Sequence, residues 1–139
     1  MTQDDSNSAP KTSSKEAQDN TALCVLTHIL GIFIGILGSL IIYFATSQRD
    51  VKEHAKNALN WHLSVIIYVI FLVILMIISI LLFRIDTSIY SIIGVGIMVL
   101  FFILAILLYI LGLIFSIIAA IKAGEGHTWK YPLSITFLK

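Results

Sequence analysis

The stretch that decides the fold is Arg-Asp-Val-Lys-Glu-His-Ala-Lys-Asn-Ala-Leu-Asn-Trp-His, which runs from Arg49 to His62. Its apolar residues recur every three or four positions, a spacing that places them on one face of a helix. That face comprises Val51, Ala55, Ala58, Leu59 and His62, and the opposite face comprises Lys52, Glu53, Lys56, Asn57 and Asn60. Asp50, with Glu53 three residues later, is typical of a capping box. We therefore predict an amphipathic helix over about residues 50–62.

This helix leads directly into a long apolar run, and Trp61 lies at the junction. Tryptophan is enriched at the level where water gives way to hydrocarbon. We interpret the segment as an interfacial helix that rests on a membrane surface and continues into a span.

The composition excludes several classes of protein. The chain is 58% hydrophobic and 12% charged, whereas soluble domains carry about a quarter charged residues. The net charge of +1 provides no basic footprint for nucleic acid. Cys24 is the single cysteine, which excludes an intrachain disulfide and a cysteine-cluster metal site.

The first 21 residues are polar and lack a periodic apolar face, so we predict a disordered N-tail over residues 1–21. Its acidic residues outnumber its basic ones, which is not typical of a signal peptide. A single membrane domain then covers residues 22–139.

Three uncharged apolar runs follow, at about residues 22–45, 63–83 and 89–121. Each is long enough to cross a hydrocarbon core of roughly 30 Å. The third is too long for a simple crossing, so we place its span at about Ile92 to Gly112 and expect the remainder to emerge or the helix to break. The predicted fold is an all-α membrane protein with three transmembrane helices and the interfacial helix between the first two.

Small residues recur at four-residue steps in two of these runs, and such stripes let helices approach closely in a bilayer. The first stripe is Thr27, Gly31, Gly35 and Ser39, and the second is Gly112, Ser116 and Ala120. We predict that both are helix-packing faces. Whether the first span is continuous or breaks near Gly35 stays open at this point.

The segment after Ile121 has features of an interfacial tail. Gly124 and Gly126 are expected to end the helix, and Trp129, Lys130 and Tyr131 suit the headgroup layer. Apolar residues then alternate with polar ones at a strand-like period of two, over Leu133, Ser134, Ile135, Thr136 and Phe137.

Lysine and arginine predict the orientation. With three spans, one side carries Lys11, Lys15 and Arg84, and the other carries Arg49, Lys52, Lys56, Lys122, Lys130 and Lys139. Because positive residues favour the inner side, we predict that the N-tail is outside and the C-tail is cytoplasmic in a bacterial cytoplasmic membrane.

Three segments together resemble a known family. They are Leu-Cys-Val-Leu-Thr-His-Ile-Leu-Gly with Leu-Gly-Ser-Leu-Ile-Ile-Tyr, the stretch from Val51 to His62, and Ile-Ala-Ala-Ile-Lys-Ala-Gly-Glu-Gly with Tyr-Pro-Leu-Ser-Ile. Over residues 22–138 their order is similar to that of a bacterial domain family related to the twenty-kilodalton subunit of the chloroplast inner-envelope translocon. The resemblance implies a small multi-pass membrane protein, and its chloroplast relative is associated with protein import. Ser39 departs from the pattern, where proline is common.

Candidate chemistry is sparse. No pair of the four histidines has metal-ligand spacing, so we predict no metal and no cofactor. His28 is an ionisable residue inside a span and so a functional candidate, although a hydrogen bond to Thr27 or to a nearby carbonyl is the favoured use. The spans contain no carboxylate or cation, which argues against a proton relay, an ion-coupled carrier or an intramembrane protease.

We therefore predict a non-enzymatic membrane module that contacts the lipid bilayer and forms a homo-oligomer or a complex with another membrane protein. It would associate through the small-residue faces and present the amphipathic helix and tail to a partner. The predicted partner surface comprises Lys52, Glu53, His54, Lys56, Asn57, Asn60, Trp61, Trp129, Lys130 and Tyr131. The alternative is a subunit of an oligomeric translocation channel or transport system.

Overall fold

The computed structural model describes residues 11–85 and 88–138, with side chains from Glu16 onward. Over these ranges the chain forms four helices and no strand: α1 (Lys11–Ile34), α2 (Ile36–Ala45), α3 (Arg49–Phe83) and α4 (Ser88–Gly124). Three segments are long and apolar enough to cross a membrane, namely Glu16–Ile34, Arg49–Phe83 and Ser88–Gly124. The prediction of an all-helical, multi-pass membrane protein is confirmed. The prediction of a strand-like tail is wrong, because the described residues that follow α4 form no strand.

Helix α1 begins earlier than the predicted boundary at Ala22. Residues 11–21, which were predicted to belong to a disordered tail, are helical and continue into the apolar part of α1. The remainder of that predicted tail, residues 1–10, lies outside the described residues.

The chain reverses direction at Gly35, between α1 and α2. Gly35 has φ 58° and ψ −137°, a backbone conformation that is accessible mainly to glycine. A Cβ placed on Gly38 would lie 2.7 Å from the Cβ of Leu30, whereas residues eight apart in a straight helix are about 12 Å apart. Helix α2 therefore folds back against α1, and the predicted span over residues 22–45 is a helical hairpin.

Both ends of this hairpin lie at the same end of the bundle. Asn20 Nδ2 donates to Gln48 Oε1 at 3.2 Å, which places the polar part of α1 beside the start of α3. Cys24 and Ile42, from the two arms, share a buried cluster with Ala123 near the end of α4. The C-terminal tail leaves from that same end, so the N-terminal segment and the tail are not on opposite ends as predicted.

Helix α3 is continuous over 35 residues, so the predicted amphipathic helix and second span are one element. Its N-cap is Gln48, without a capping hydrogen bond from the side chain. Asp50 lies in the first turn instead, where a carboxylate interacts favourably with the helix dipole, and this corrects the predicted capping box.

Helix α4 is continuous over 37 residues, which corresponds to about 55 Å. It does not break at Gly94, Gly96 or Gly112, and it returns antiparallel to α3. Close approach near the α3–α4 turn is possible because Gly94 faces Ser79, whose hydroxyl donates to the Gly94 carbonyl at 2.6 Å. The core is concentrated at the other end, where α1, α2 and the tail pack on α3 and α4.

Candidate functional site

His28 is fully buried in α1 and joins three parts of the chain. Its Nδ1 lies 2.9 Å from Tyr131 Oη in the tail, and its Nε2 lies 3.1 Å from His54 Nδ1 on α3. We call these residues the histidine–tyrosine cluster. Thr27, a predicted partner of His28, instead donates to the Leu23 carbonyl at 2.9 Å.

The cluster forms a hydrogen-bonded chain that runs from the tail through α1 to α3. Burial raises the pKa of Tyr131, and a hydrogen bond with Ser116 only partly opposes this, so its hydroxyl keeps its proton and can donate to His28 Nδ1. His28 Nε2–H can then donate to His54 Nδ1, so that His28 uses one ring nitrogen as acceptor and the other as donor. Such buried networks stabilise a unique arrangement when every member is satisfied.

Aromatic rings enclose the hydroxyl end of the cluster. Trp61 stacks on Tyr131 with 5.4 Å between ring centroids and 9° between planes. Phe115 packs edge-on against Trp61 at 5.4 Å, and Trp129 packs against Tyr131 at 5.1 Å. Trp61 is 2% exposed and Tyr131 5%, so both rings are packed inside the bundle.

The tail beyond Tyr131 is held by polar side chains of α3 instead of by a second strand. Asn60 Oδ1 accepts from the backbone N–H groups of Phe137 and Leu138, at 3.1 and 2.8 Å. Ser64 Oγ accepts from Ile135 N at 2.7 Å. Tyr68 Oη donates to the Leu133 carbonyl at 2.5 Å. These bonds satisfy backbone groups that an unpaired strand would leave free.

The predicted partner surface divides into two groups in the structure. Lys52, Glu53 and Lys130 are exposed, and Lys56, Asn57 and Trp129 are partly exposed. His54, Asn60, Trp61 and Tyr131 are buried. The second group therefore holds the bundle and the tail together, and this corrects its assignment to a surface.

The predicted packing residues lie mostly inside the chain. Thr27, Gly31, Ser39 and Ser116 are buried, Gly112 and Ala120 are partly buried, and Gly35 forms the turn. A Cβ placed on Gly31 would lie 2.8 Å from His62 Nε2, so this glycine makes room for a histidine of α3. The first stripe thus packs within one copy of the chain, and no contact between copies is needed to explain its small residues.

The local sequence could not reveal the central contact of the cluster, because His28 and Tyr131 are 103 positions apart. The available signal was chemical: a buried histidine and a buried tyrosine each require a hydrogen-bond partner. Neither the buried, unpaired Cys24 nor the cluster adds a metal site. Within residues 11–85 and 88–138, no three His, Cys, Asp or Glu side chains are grouped so that they could hold a metal ion.

Comparison with known proteins identifies the family. The model of the MamF/MmsF family, described as the magnetosome magnetite crystal formation protein family, matches residues 19–138. The chain belongs to this family. The match covers all of the histidine–tyrosine cluster, the hairpin, both long helices and the tail. No curated protein and no solved structure matches the chain.

The MamF/MmsF match corrects the predicted resemblance to the chloroplast translocon subunit, which is wrong. The three quoted segments, including Val51 to His62 and the tail, all fall inside the range that the MamF/MmsF model matches. The protein is accordingly a multi-pass helical membrane protein of a magnetosome family, and it contacts lipid.

Proposed function

We propose that the protein is a non-enzymatic accessory component of the magnetosome membrane that acts in magnetite crystal formation by presenting one polar end to a partner. The family match over residues 19–138 carries this proposal. The histidine–tyrosine cluster supports the non-enzymatic part, because its groups are buried and hydrogen-bonded to one another.

The distribution of charge supports the existence of one polar end. We define the polar end as residues 16–20, 48–56 and 122–131. Hydrogen bonding between Asn20 and Gln48 and the shared cluster of Cys24, Val51 and Ala123 bring its three segments together. Among the described side chains, only Arg84 carries a charge at the opposite end.

The hairpin of α1 and α2 supports a specific placement in the bilayer. Helix α2 has ten residues, about 15 Å, which is half of a hydrocarbon core of roughly 30 Å. We propose that the hairpin enters the membrane and returns to the same side, while α3 and α4 cross it. The polar end carries five described cations against one at the other end (Arg49, Lys52, Lys56, Lys122 and Lys130 against Arg84), so it faces the cytoplasm.

Cysteine labelling tests this topology. In a Cys24→Ala background, Glu16→Cys and Glu125→Cys should react with a membrane-impermeant maleimide from one and the same side, and Arg84→Cys only from the other. Three separate crossings would instead make Glu16→Cys and Glu125→Cys react from opposite sides. That result would refute the re-entrant hairpin.

Complementation tests the role in crystal formation. We expect the chain to restore crystal size, measured by electron microscopy, in a magnetite-forming bacterium that lacks its own family member. A variant with Lys52, Glu53 and Lys130 changed to Ser should reach the membrane in normal amounts but restore crystal size poorly. Full restoration by this variant would exclude the polar end as the partner surface. Failure of the unaltered chain at normal abundance would refute the function itself.

The alternative role in a translocation channel has lost its basis. It rested on the resemblance to the chloroplast translocon subunit, and the chain belongs to a different family. We therefore propose the accessory role alone.

A further inference from the structure

A polar pocket of about 350 Å³ lies between the first turns of α3 and the C-terminal tail. Two lysines line it, Lys56 from α3 and Lys130 from the tail, together with one carboxylate, Glu53. The hydroxyl-bearing residues Ser134 and Thr136 line its tail side. The pocket therefore combines a net positive charge with several hydrogen-bond donors.

Neither lysine is neutralised by a close carboxylate. Over the part of the chain that the structure describes, the one ion pair within 4.0 Å joins Lys122 and Glu125. Asn57 also lines the pocket, and its Nδ2 is buried without a hydrogen-bond partner. Lys56 and Lys130 therefore provide ammonium donors for an acceptor in the pocket.

The height of the pocket along α3 indicates where such an acceptor would come from. Lys56 is the last charged residue before the uncharged run of α3, and the apolar run begins at Leu63. The pocket thus lies beside the junction between the polar start of α3 and its apolar run, because Asn60 in its lining is three positions before Leu63. Phospholipid phosphates occupy this level of a bilayer, and lysines at this level attract anionic lipids.

We propose that this pocket binds the phosphate group of a phospholipid headgroup, with Lys56 and Lys130 as its cationic partners. Ser134 and Thr136 are placed to donate further hydrogen bonds to the phosphate oxygens. Glu53 opposes an anion at the same site, so it weakens binding and favours release. The bound lipid would join the tail to α3 and anchor the polar end at the membrane surface.

Native mass spectrometry of the detergent-solubilised protein, titrated with phosphatidylglycerol, tests this proposal. The double variant Lys56→Gln, Lys130→Gln should bind at least about tenfold more weakly, because it removes two charge-assisted contacts. Lys52→Gln is the matched control: Lys52 is an exposed lysine of the same helix that stacks over Tyr43, outside the pocket. It should bind as the unaltered protein does.

Two further variants should change the affinity for phosphatidylglycerol in opposite directions, which a purely structural effect would not do. Glu53→Gln should tighten binding of phosphatidylglycerol, and Thr136→Glu should weaken it. If the double lysine variant loses helical content, two other variants decide the question. One is Lys56→Arg with Lys130→Arg, which keeps both charges, and the other is Thr136→Glu. The arginine variant should retain binding.

Inorganic phosphate serves as a competitor that distinguishes the source of the ligand. Displacement of the lipid by phosphate would show that the phosphate group alone suffices, and no displacement would show that the lipid is required; both agree with a phosphate site. Equal loss in Lys52→Gln and the double variant would indicate diffuse charge attraction and overturn the proposal. Unchanged binding in the double variant would do the same.

Discussion

The two halves of α3 belong to one continuous helix but are held in place by different means. From Val51 to Ser64 the helix packs against α1, α2, α4 and the tail, and most of its residues in this range are buried. Beyond Ser64 only Leu72 and Ser79 are buried. Trp61 in the first half is 2% exposed, and Phe71 in the second is 58% exposed.

The difference shows how a membrane protein obtains a specific shape from a sequence that is apolar almost throughout. In the second half, length and hydropathy are sufficient to place the helix in the membrane. Any apolar face can contact lipid there, and two helices gain little by excluding lipid from between them. In the first half, buried polar groups and rings of defined geometry fix which elements meet. Substitutions should therefore have much larger effects in the first half than in the second.

The largest effect is expected for Trp61→Ala. Removing the indole leaves a cavity between Tyr131 and Phe115, and we expect a loss of about 3–5 kcal/mol in the free energy of unfolding. Phe71→Ala removes a ring of the second half and should change that free energy by less than about 0.5 kcal/mol. Both can be measured by denaturation in mixed micelles followed by circular dichroism. Similar losses for the two variants would remove the contrast between the halves.

Gly38→Ala tests the reversal of the chain at Gly35. The new Cβ would lie 2.7 Å from Leu30 Cβ and 2.8 Å from the Leu30 backbone carbon. Because backbone atoms cannot rotate away, we expect a cost of about 1–3 kcal/mol. Gly96→Ala, where a Cβ meets nothing within 4 Å, is the control and should be neutral or stabilising by up to about 1 kcal/mol. An unchanged stability of Gly38→Ala would mean that α2 does not pack on α1.

Tyr131→Phe isolates the hydrogen bond to His28 and keeps the stacked ring. We expect a loss of about 1 kcal/mol in unfolding free energy, since His28 loses one partner inside the bundle. Tyr109→Phe is the control, because Tyr109 is 73% exposed. A loss confined to Tyr131→Phe, measured in the same micelles, would establish that the cluster contributes to stability.

The difference in stability between the unaltered protein and Tyr131→Phe should depend on pH in a defined direction. Burial raises the pKa of Tyr131 above its ordinary value of 10.0, so the folded state keeps the hydroxyl protonated while the unfolded state ionises. The stability that the neutral hydroxyl provides is complete below pH 10 and is lost as the pH rises through the ordinary value and beyond. The stability gap between the unaltered protein and Tyr131→Phe should therefore shrink above about pH 10. A gap that stays constant there would contradict the burial of the hydroxyl.

Among the variants at buried positions, Ser79→Ala in the second half is expected to have the smallest effect. It removes the hydrogen bond to the Gly94 carbonyl, and such bonds between membrane helices are worth roughly 0.6 kcal/mol. Ser64→Ala in the first half removes the partner of Ile135 N and should cost more, because a tail amide is left unpaired. Denaturation of both variants under the same conditions compares them. A larger loss for Ser79→Ala would reverse the ranking of the two halves.

Much of this fold could be predicted from the sequence, and the successes have a common cause. The uncharged runs gave the helices of α3 and α4, and the face of Val51, Ala55, Ala58 and Leu59 is buried in the structure. Both depend on local composition and on the helical period, which are properties of neighbouring residues. The site was predicted less well, because Trp61 and Tyr131 were assigned to a partner surface but are buried by contacts between distant segments.

The sequence by itself determined that this protein is helical, that it belongs in a membrane, and that Gly35 could interrupt a helix, since these follow from hydropathy and backbone freedom over short ranges. The tertiary structure decided that α2 turns back along α1, that the termini of the hairpin share one end, and that Tyr131 reaches His28. These features depend on which buried polar groups find partners across 26 to 103 positions. No local period encodes that choice, because many pairings satisfy the same composition and only packing in three dimensions selects among them.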